Sequence, residues 1–442
     1  MSKQTSWLLS EIGRWTADGI ISQEQADRLR QRYAAPTDGP PWGLLVFASA
    51  GALVIGLGVI LLFAYNWTEI PKFGKLALVF AAVVTAHASG LVLYRRAGWQ
   101  RRLGEAFSLL GTMFYGAGIW LVAQIYHIDE HYPNGFLLWA LGAMALAWIL
   151  ESIPHALLAT MLLAVWGGSE VFHFHDPNLW ALALVAGGLA PLAWRQQSAL
   201  LLAFVLAAVE LLLIANVFNY GGSSRAFTAS LAFAVLLVAA ARLTAWSRPS
   251  FSTGARVMAF FGFGGFFVCS YLLGFHDAAD DLLRWGRHPG AHSGFAAVHS
   301  WTLFTLAAAA WGWIAWQSLV RKSHLAVEEW LVPIALLYAY GLAAFALSTS
   351  DYAVFIAGSF NLILLGMAVM WMWRGCSESR LPPTVMGSLL LAAVVLARYF
   401  DLFQSLAARG LAFILLGGIF MAEAMYYRKN RRIESPALEG VS

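Results

Sequence analysis

The chain has 442 residues, 60% of them hydrophobic and 12% charged, with a formal charge of +4. Soluble proteins carry about 25% charged residues, so a string of water-soluble domains is excluded. The basic residues are scattered at the ends of apolar runs, without the concentrated patch that phosphate binding needs, so nucleic acid is not an expected partner. The two cysteines, Cys269 and Cys376, cannot build a disulfide framework or a thiolate metal cluster.

The first 42 residues read as a cytoplasmic helical hairpin and linker. Trp7, Leu8, Ile12 and Trp15 recur at helical spacing on one face. Asp18-Gly19 stops that helix, and Ser22 starts a second one, SQEQADRLRQRY, with Gln25 three residues on as a capping-box partner. The hairpin is too short to bury a core alone. It is expected to dock on the rest of the chain or on a protein partner. PTDGPPW then breaks the chain. The first apolar run begins near Gly43, after a segment too long and too charged for a signal-peptide n-region, so that run is expected to stay as a helix.

From residue 43 to 427 the expectation is an all-α, polytopic transmembrane bundle of about fourteen spans, each roughly 17–23 residues and long enough to cross the hydrocarbon. The spans are 43–65, 73–94, 105–126, 135–150, 154–172, 178–194, 198–218, 227–246, 255–275, 299–319, 328–348, 352–373, 384–400 and 409–427. The fourth to sixth are short, and the turn Glu151-Ser152-Ile153-Pro154 is minimal. A longer outer loop occupies 276–298, and residues 428–442 form a basic cytoplasmic tail. With the N-terminus inside, about 21 of the 28 Lys and Arg fall on the inner side, a strong positive-inside bias. An even number of spans then places both termini in the cytoplasm.

The head pattern WTADGIISQEQADRL, the stretch LLFAYNWTEIPKFGKL and GIWLVAQIYHI at the end of the third span resemble a bacterial membrane-protein family, domain of unknown function 2157. The resemblance is best over the first 150 residues. It implies a bacterial inner-membrane protein in contact with the lipid bilayer. The family carries no established activity to transfer, and it gives no catalytic residue list.

Polar residues inside the spans are the first candidates for function. Glu210 lies near the middle of LLLAFVLAAVELLLIANVF. A lone acid at that depth is costly and usually pairs or faces a water-filled path. His87 sits in TAHASG, Asn361 in FIAGSFNLILL, and Gln124 near the outer end of the third span. If Glu210 and His87 face one cavity they could form a proton relay. The plainer alternative is that each bonds a neighbouring backbone or hydroxyl group and fixes helix packing.

The outer face carries a second set. Eight of the eleven histidines fall there, and the densest stretches are QIYHIDEHYPNG and HFHD. His127, Asp129, Glu130, His131, His173, His175 and Asp176 combine imidazole and carboxylate, which suits a divalent metal. His also titrates near neutral pH and suits a pH sensor. No span has the i, i+4 His pair of a helical zinc site. The favoured reading is a polar cap on helix ends; a metal at the outer face is the weaker one, and no cofactor is expected.

The third set is Arg398, Asp401 and Arg409 at the outer ends of the last two spans. Arg398 and Asp401 are three apart and can pair on one helical face. With Arg409 they could clamp an anion, since Arg binds carboxylate and phosphate bidentately. An ion pair that pins the last hairpin is the favoured alternative.

There is no phosphate-cradling loop, nucleophile elbow or metalloprotease helix, so the motifs weigh against an enzyme. A carrier of a small solute or ion using an intramembrane acid ranks first. A non-catalytic assembly or sensor subunit ranks second, with residues 1–42 as its partner-binding element. A membrane-embedded enzyme with an outer His and acid site ranks third.

Overall fold

The computed structural model describes residues 3–33, 70–96, 99–127, 131–283, 293–321, 327–345, 351–398, 414–423 and 425–426. The expected first span, 43–65, lies outside them. So do Asp129, Glu130, Asp401 and Arg409. Every regular element among the described residues is a helix. Among the described residues eight helices are long and apolar enough to cross a membrane, and five shorter apolar helices accompany them. The fold is therefore an all-α polytopic bundle.

The chain divides into two compact units, residues 1–78 and 79–442. The first unit contains α1 (Lys3–Ala17) and α2 (Gln23–Tyr33). Helix α1 ends where Gly19 takes φ +71°, a conformation that glycine adopts without penalty, and Ile20 N–H bonds back to the Trp15 carbonyl at 2.9 Å. Helix α2 opens with the expected capping box. Ser22 N–H donates to Gln25 Oε1 at 2.9 Å, and Gln25 N–H donates to Ser22 Oγ at 3.3 Å. Ile12 and Ala26 are buried in this unit. Helix α3 (Lys72–Tyr94) begins in the first unit and ends in the second.

The second unit continues with α4 (Trp99–Tyr126), α5 (Pro133–Ile149) and α6 (Ile153–Ser169). A π-helical turn, Glu170–Phe174, extends α6. Leu179–Arg195 forms α7, itself interrupted by a π-helical stretch, Leu184–Leu189. Next come α8 (Ala199–Asn219) and α9 (Arg225–Ser247), followed by α10 (Ser252–Leu273) and α11 (His276–Leu283). The later helices are α12 (Ser293–Arg321), α13 (Val327–Phe345), α14 (Asp351–Ser377), α15 (Leu381–Arg398) and α16 (Ile414–Glu423).

The turns follow from local chemistry. Pro133 and Pro154 stand in the first turns of α5 and α6, where a missing N–H leaves no intrahelical bond unmade. Gly222 takes φ +72° and ψ −179°, and this separates α8 from α9 where a continuous helix would otherwise run through. The segment 276–298, expected as a loop, starts as helix α11. Ala279, Leu282 and Leu283 recur at i, i+3, i+4 and are buried, so this segment has an apolar face to pack.

Small residues let the helices approach closely. A Cβ on Gly104 of α4 would strike the backbone nitrogen of Tyr94 and lie 2.7 Å from the Gly90 carbonyl oxygen, both on α3. A Cβ on Gly262 of α10 would come within 2.9 Å of the Ala234 carbonyl oxygen on α9. Such contacts replace the hydrophobic effect as the source of association in lipid. Helices α5 to α10 share one apolar core, and α9 to α14 share a second, with Phe266, Phe360 and Tyr340 among its fully buried side chains. Polar groups in the second core are matched. Tyr340 OH lies 2.6 Å from Ser300 Oγ, which lies 3.0 Å from Thr228 Oγ1, and Trp311 Nε1–H donates to the Val235 carbonyl at 3.1 Å.

Candidate functional site

Glu210 occupies the middle of α8 and lines a cavity of about 420 Å³ formed with α9 and α10. The walls are apolar and include Phe218, Phe261, Val268 and Cys269, with the Ser230 hydroxyl as a second polar group. Gly264 and Gly265 leave the cavity open on the α10 side. A Cβ built on Gly265 would lie 3.2 Å from Glu210 Oε1. The acid is half-buried, and among the described residues it makes no hydrogen bond or ion pair. A carboxylate in apolar walls binds a cation or a protonated donor far better than it binds a neutral apolar solute, because that partner compensates its lost hydration.

His87 does not line this cavity. Its ring lies on α3 against Gly111 of α4, where a Cβ would come within 2.8 Å of His87 Nε2. The two residues that could have formed one relay therefore belong to different parts of the second unit. Asn361 Nδ2 donates to the Gly274 carbonyl at 3.1 Å and to the Ala357 carbonyl at 2.7 Å. It ties α14 to the carbonyl end of α10. Gln124 is exposed near the end of α4.

The expected outer residues are partly gathered. His131, just before α5, brings Nε2 to 2.7 Å from Glu170 Oε2, and Trp166 Nε1–H donates to Glu170 Oε1 at 3.1 Å. Glu170 is only 8% exposed. The π-helical turn makes this possible, since it rotates Glu170–Phe174 away from the regular helical register. Phe174 packs against His131 with centroids 4.0 Å apart and ring planes inclined by 59°, and Tyr132 stands edge-on to His173 at 6.2 Å. His127 and His175 take φ +52° and +57° at the ends of α4 and the π turn. Both are exposed, as is Asp176, whose N–H donates to the Glu170 carbonyl at 3.1 Å. Among the described residues no three His, Cys, Asp or Glu side chains converge as metal ligands would. Arg398 closes α15, while Asp401 and Arg409 fall outside the described residues.

Sequence reasoning passed over Glu170, which sits two residues inside the expected end of a span. The Trp166–Glu170 spacing of i, i+4 was the available signal. It also passed over Glu105, Ser108, Ser152 and His155, which meet where α4 packs beside the α5–α6 turn. Ser152 Oγ donates to Glu105 Oε1 at 2.6 Å and lies 2.8 Å from His155 Nδ1. Ser108 Oγ lies 3.4 Å from His155 Nε2. Glu105 and Ser108 at i, i+3, and Ser152 and His155 at i, i+3, were both legible spacings. Their convergence was not.

Residues 13–156 match the family described as predicted membrane protein (DUF2157), the same family and the same stretch as the resemblance. Comparison with curated proteins and with solved structures found no match.

Proposed function

We propose that this protein is a carrier in the bacterial inner membrane, with both termini in the cytoplasm, and that it moves a small cationic solute or ion through a path that uses Glu210. The observation that supports the reading is the Glu210 cavity: a mid-helix carboxyl in apolar walls, beside a Gly264-Gly265 pair that keeps its space open. An acid at that depth is costly in lipid unless a partner or water meets it. A transported cation is such a partner.

The test is flux in proteoliposomes of the full chain containing a pH-sensitive dye, under imposed gradients of sodium, potassium and a small primary amine. The expected result is a cation-dependent flux in the wild type that is lost in Glu210→Gln, since the amide keeps the volume and removes the charge. A deletion strain complemented by each form gives an independent readout. Full complementation by Glu210→Gln sinks the assignment.

A further inference from the structure

We infer that Glu105, Ser152, His155 and Ser108 form a proton relay, a hydrogen-bonded chain that carries a proton between the half-exposed carboxyl of Glu105 and the buried interior of the bundle. The inference does not rest on Glu210, which lies on other helices and lines a cavity that none of these four residues touches.

Ser152 is the N-cap residue of α6, yet its side chain makes no capping bond to the backbone. An N-cap serine ordinarily accepts from the second or third N–H of its helix. Here the hydroxyl sits between a carboxylate at 2.6 Å and an imidazole nitrogen at 2.8 Å. A hydroxyl has one proton to give. While Ser152 donates to Glu105, it must accept from His155 Nδ1–H. The neutral imidazole then has Nε2 bare, and Ser108 Oγ at 3.4 Å is a hydroxyl placed to donate to it, while the Ser108 carbonyl faces the ring as an acceptor for the Nε2–H of the other tautomer. All three bonds point toward Glu105.

Such a chain has a second, mirror-image arrangement. A hydronium ion reaching Ser108 gives it a proton as Ser108 passes its own to His155 Nε2. His155 Nδ1 releases its proton to Ser152 Oγ, and Ser152 releases its hydroxyl proton to Glu105. Each O–H or N–H bond broken is replaced by one formed. The hydronium ion ends as water, the carboxylate ends as a carboxylic acid, both serines end as hydroxyls, and His155 ends neutral in its other tautomer. The three bonds now point away from Glu105.

Burial and position suit this role. His155 is fully buried, and Ser152 and Ser108 are nearly so, so the chain is held in one geometry. Glu105, Ser108 and Thr112 recur at i, i+3, i+7 on α4 and make a polar stripe running about 10 Å into an apolar bundle. Thr112 is also buried. The charged and titratable groups around the chain frame its two ends. Arg101 on α4 acts electrostatically on Glu105 and on Glu151 of the turn, and it donates to Tyr94 OH at 3.1 Å. Tyr94 OH in turn donates to the Leu150 carbonyl at 2.7 Å, and Glu151 pairs with Arg195 at 2.7 Å. His87 on α3 stands within electrostatic reach of His155, above Gly111, and is the next titratable group beyond Ser108.

The test follows the His155 tautomer by solid-state NMR of the full chain in lipid bilayers, with histidine labelled with nitrogen-15 and His155 assigned by subtraction of a His155→Gln spectrum. Infrared spectra of the same samples follow the Glu105 carboxylic-acid band, identified as the one that Glu105→Gln removes. The expected result is the Nδ1–H tautomer while Glu105 is ionised and complete exchange to Nε2–H as the acid band appears. Glu105→Gln holds the Nδ1–H form throughout. Ser152→Ala uncouples the two events, and Ser152→Thr, which keeps a hydroxyl and guards against a folding artefact, restores the coupling. A His155 that keeps one tautomer while Glu105 titrates overturns the relay. So does a His155 that becomes imidazolium in its place, a tautomer exchange that Ser152→Ala leaves intact, or the lack of any acid band that Glu105→Gln removes.

Discussion

His131 Nε2 and Glu170 Oε2 lie 2.7 Å apart, although 39 positions separate them in the chain. The contact joins the start of α5 to the π-helical turn after α6, and Trp166 Nε1–H completes the environment of the same carboxylate. Glu170→Ala leaves both the imidazole and the indole without this acceptor. The expected loss is about 1–3 kcal/mol of stability, seen as a lower melting temperature of the detergent-solubilised protein. Glu170→Gln keeps an acceptor for Trp166, and its loss is smaller. Equal melting temperatures for Glu170→Ala and wild type would remove this contact from the energetics of the π-helical turn.

Glu210 offers the opposite sign. It is a half-buried acid among apolar side chains with no hydrogen-bond partner among the described residues. Glu210→Leu fills the cavity with matching surface and removes a group whose burial is unfavourable, so stability is expected to rise by up to about 2 kcal/mol. Under the proposed carrier function the same variant is expected to lose cation flux. A more stable and inactive protein is the signature of a residue kept for function, and a destabilised Glu210→Leu would argue that the acid is structural.

Gly104 and Gly90 set the spacing of α3 and α4. Gly104→Ala drives a Cβ into the Tyr94 backbone nitrogen and against the Gly90 carbonyl. The obstacle is backbone, which cannot rotate away. The helices must separate, at about 1–3 kcal/mol for overpacking. Hydrogen exchange of the α3 amides is the direct readout, and faster exchange in the variant is expected. Gly264→Ala serves as the control, because nothing lies within 4 Å of a Cβ there.

The head hairpin depends on its capping box. Ser22→Ala removes the acceptor for Gln25 N–H, and about 1 kcal/mol of local stability goes with it. The expected outcome is faster hydrogen exchange over Gln23–Tyr33 with no change in α8 or α9. Unchanged exchange in α2 would show that packing around Ile12 and Ala26 alone holds the hairpin.

Tyr340 tests the buried polar network. Its hydroxyl lies 2.6 Å from Ser300 Oγ and donates to the Ser300 carbonyl at 2.8 Å. Tyr340→Phe removes this partner from Ser300, whose Oγ keeps its contact with Thr228 Oγ1 at 3.0 Å, and the expected loss is about 1 kcal/mol. A melting temperature equal to that of wild type would mean that the Thr228–Ser300 contact alone satisfies the network.

Much of this architecture is legible in the sequence because lipid imposes a simple rule. Backbone groups in hydrocarbon must be satisfied within their own segment, so each long apolar run becomes a helix. The run around Glu210 and the Ser22–Gln25 capping box are both local patterns, decided within one element. The Pro154 turn is legible for the same reason, since a proline in the first helical turn acts on its immediate neighbours. Helix α11 was harder to see, because its eight residues carry three acids and a histidine, and only packing against α14 reveals the use of Ala279, Leu282 and Leu283.

What the sequence by itself determined is the class of protein: a membrane bundle of helices with an acid deep in one of them and a capped helical pair ahead of the spans. Only the tertiary structure decided the company each polar side chain keeps. It separated His87 from the Glu210 cavity, gave Glu170 to His131, and threaded Glu105, Ser152, His155 and Ser108 into one chain. The reason is physical. Helix formation depends on residues within one turn of each other, whereas these contacts depend on how far two helices slide and rotate. Glycine contacts such as Gly90 with Gly104, the break at Gly222 and the π-helical turn at Glu170 set those displacements, and no periodicity along the chain records them.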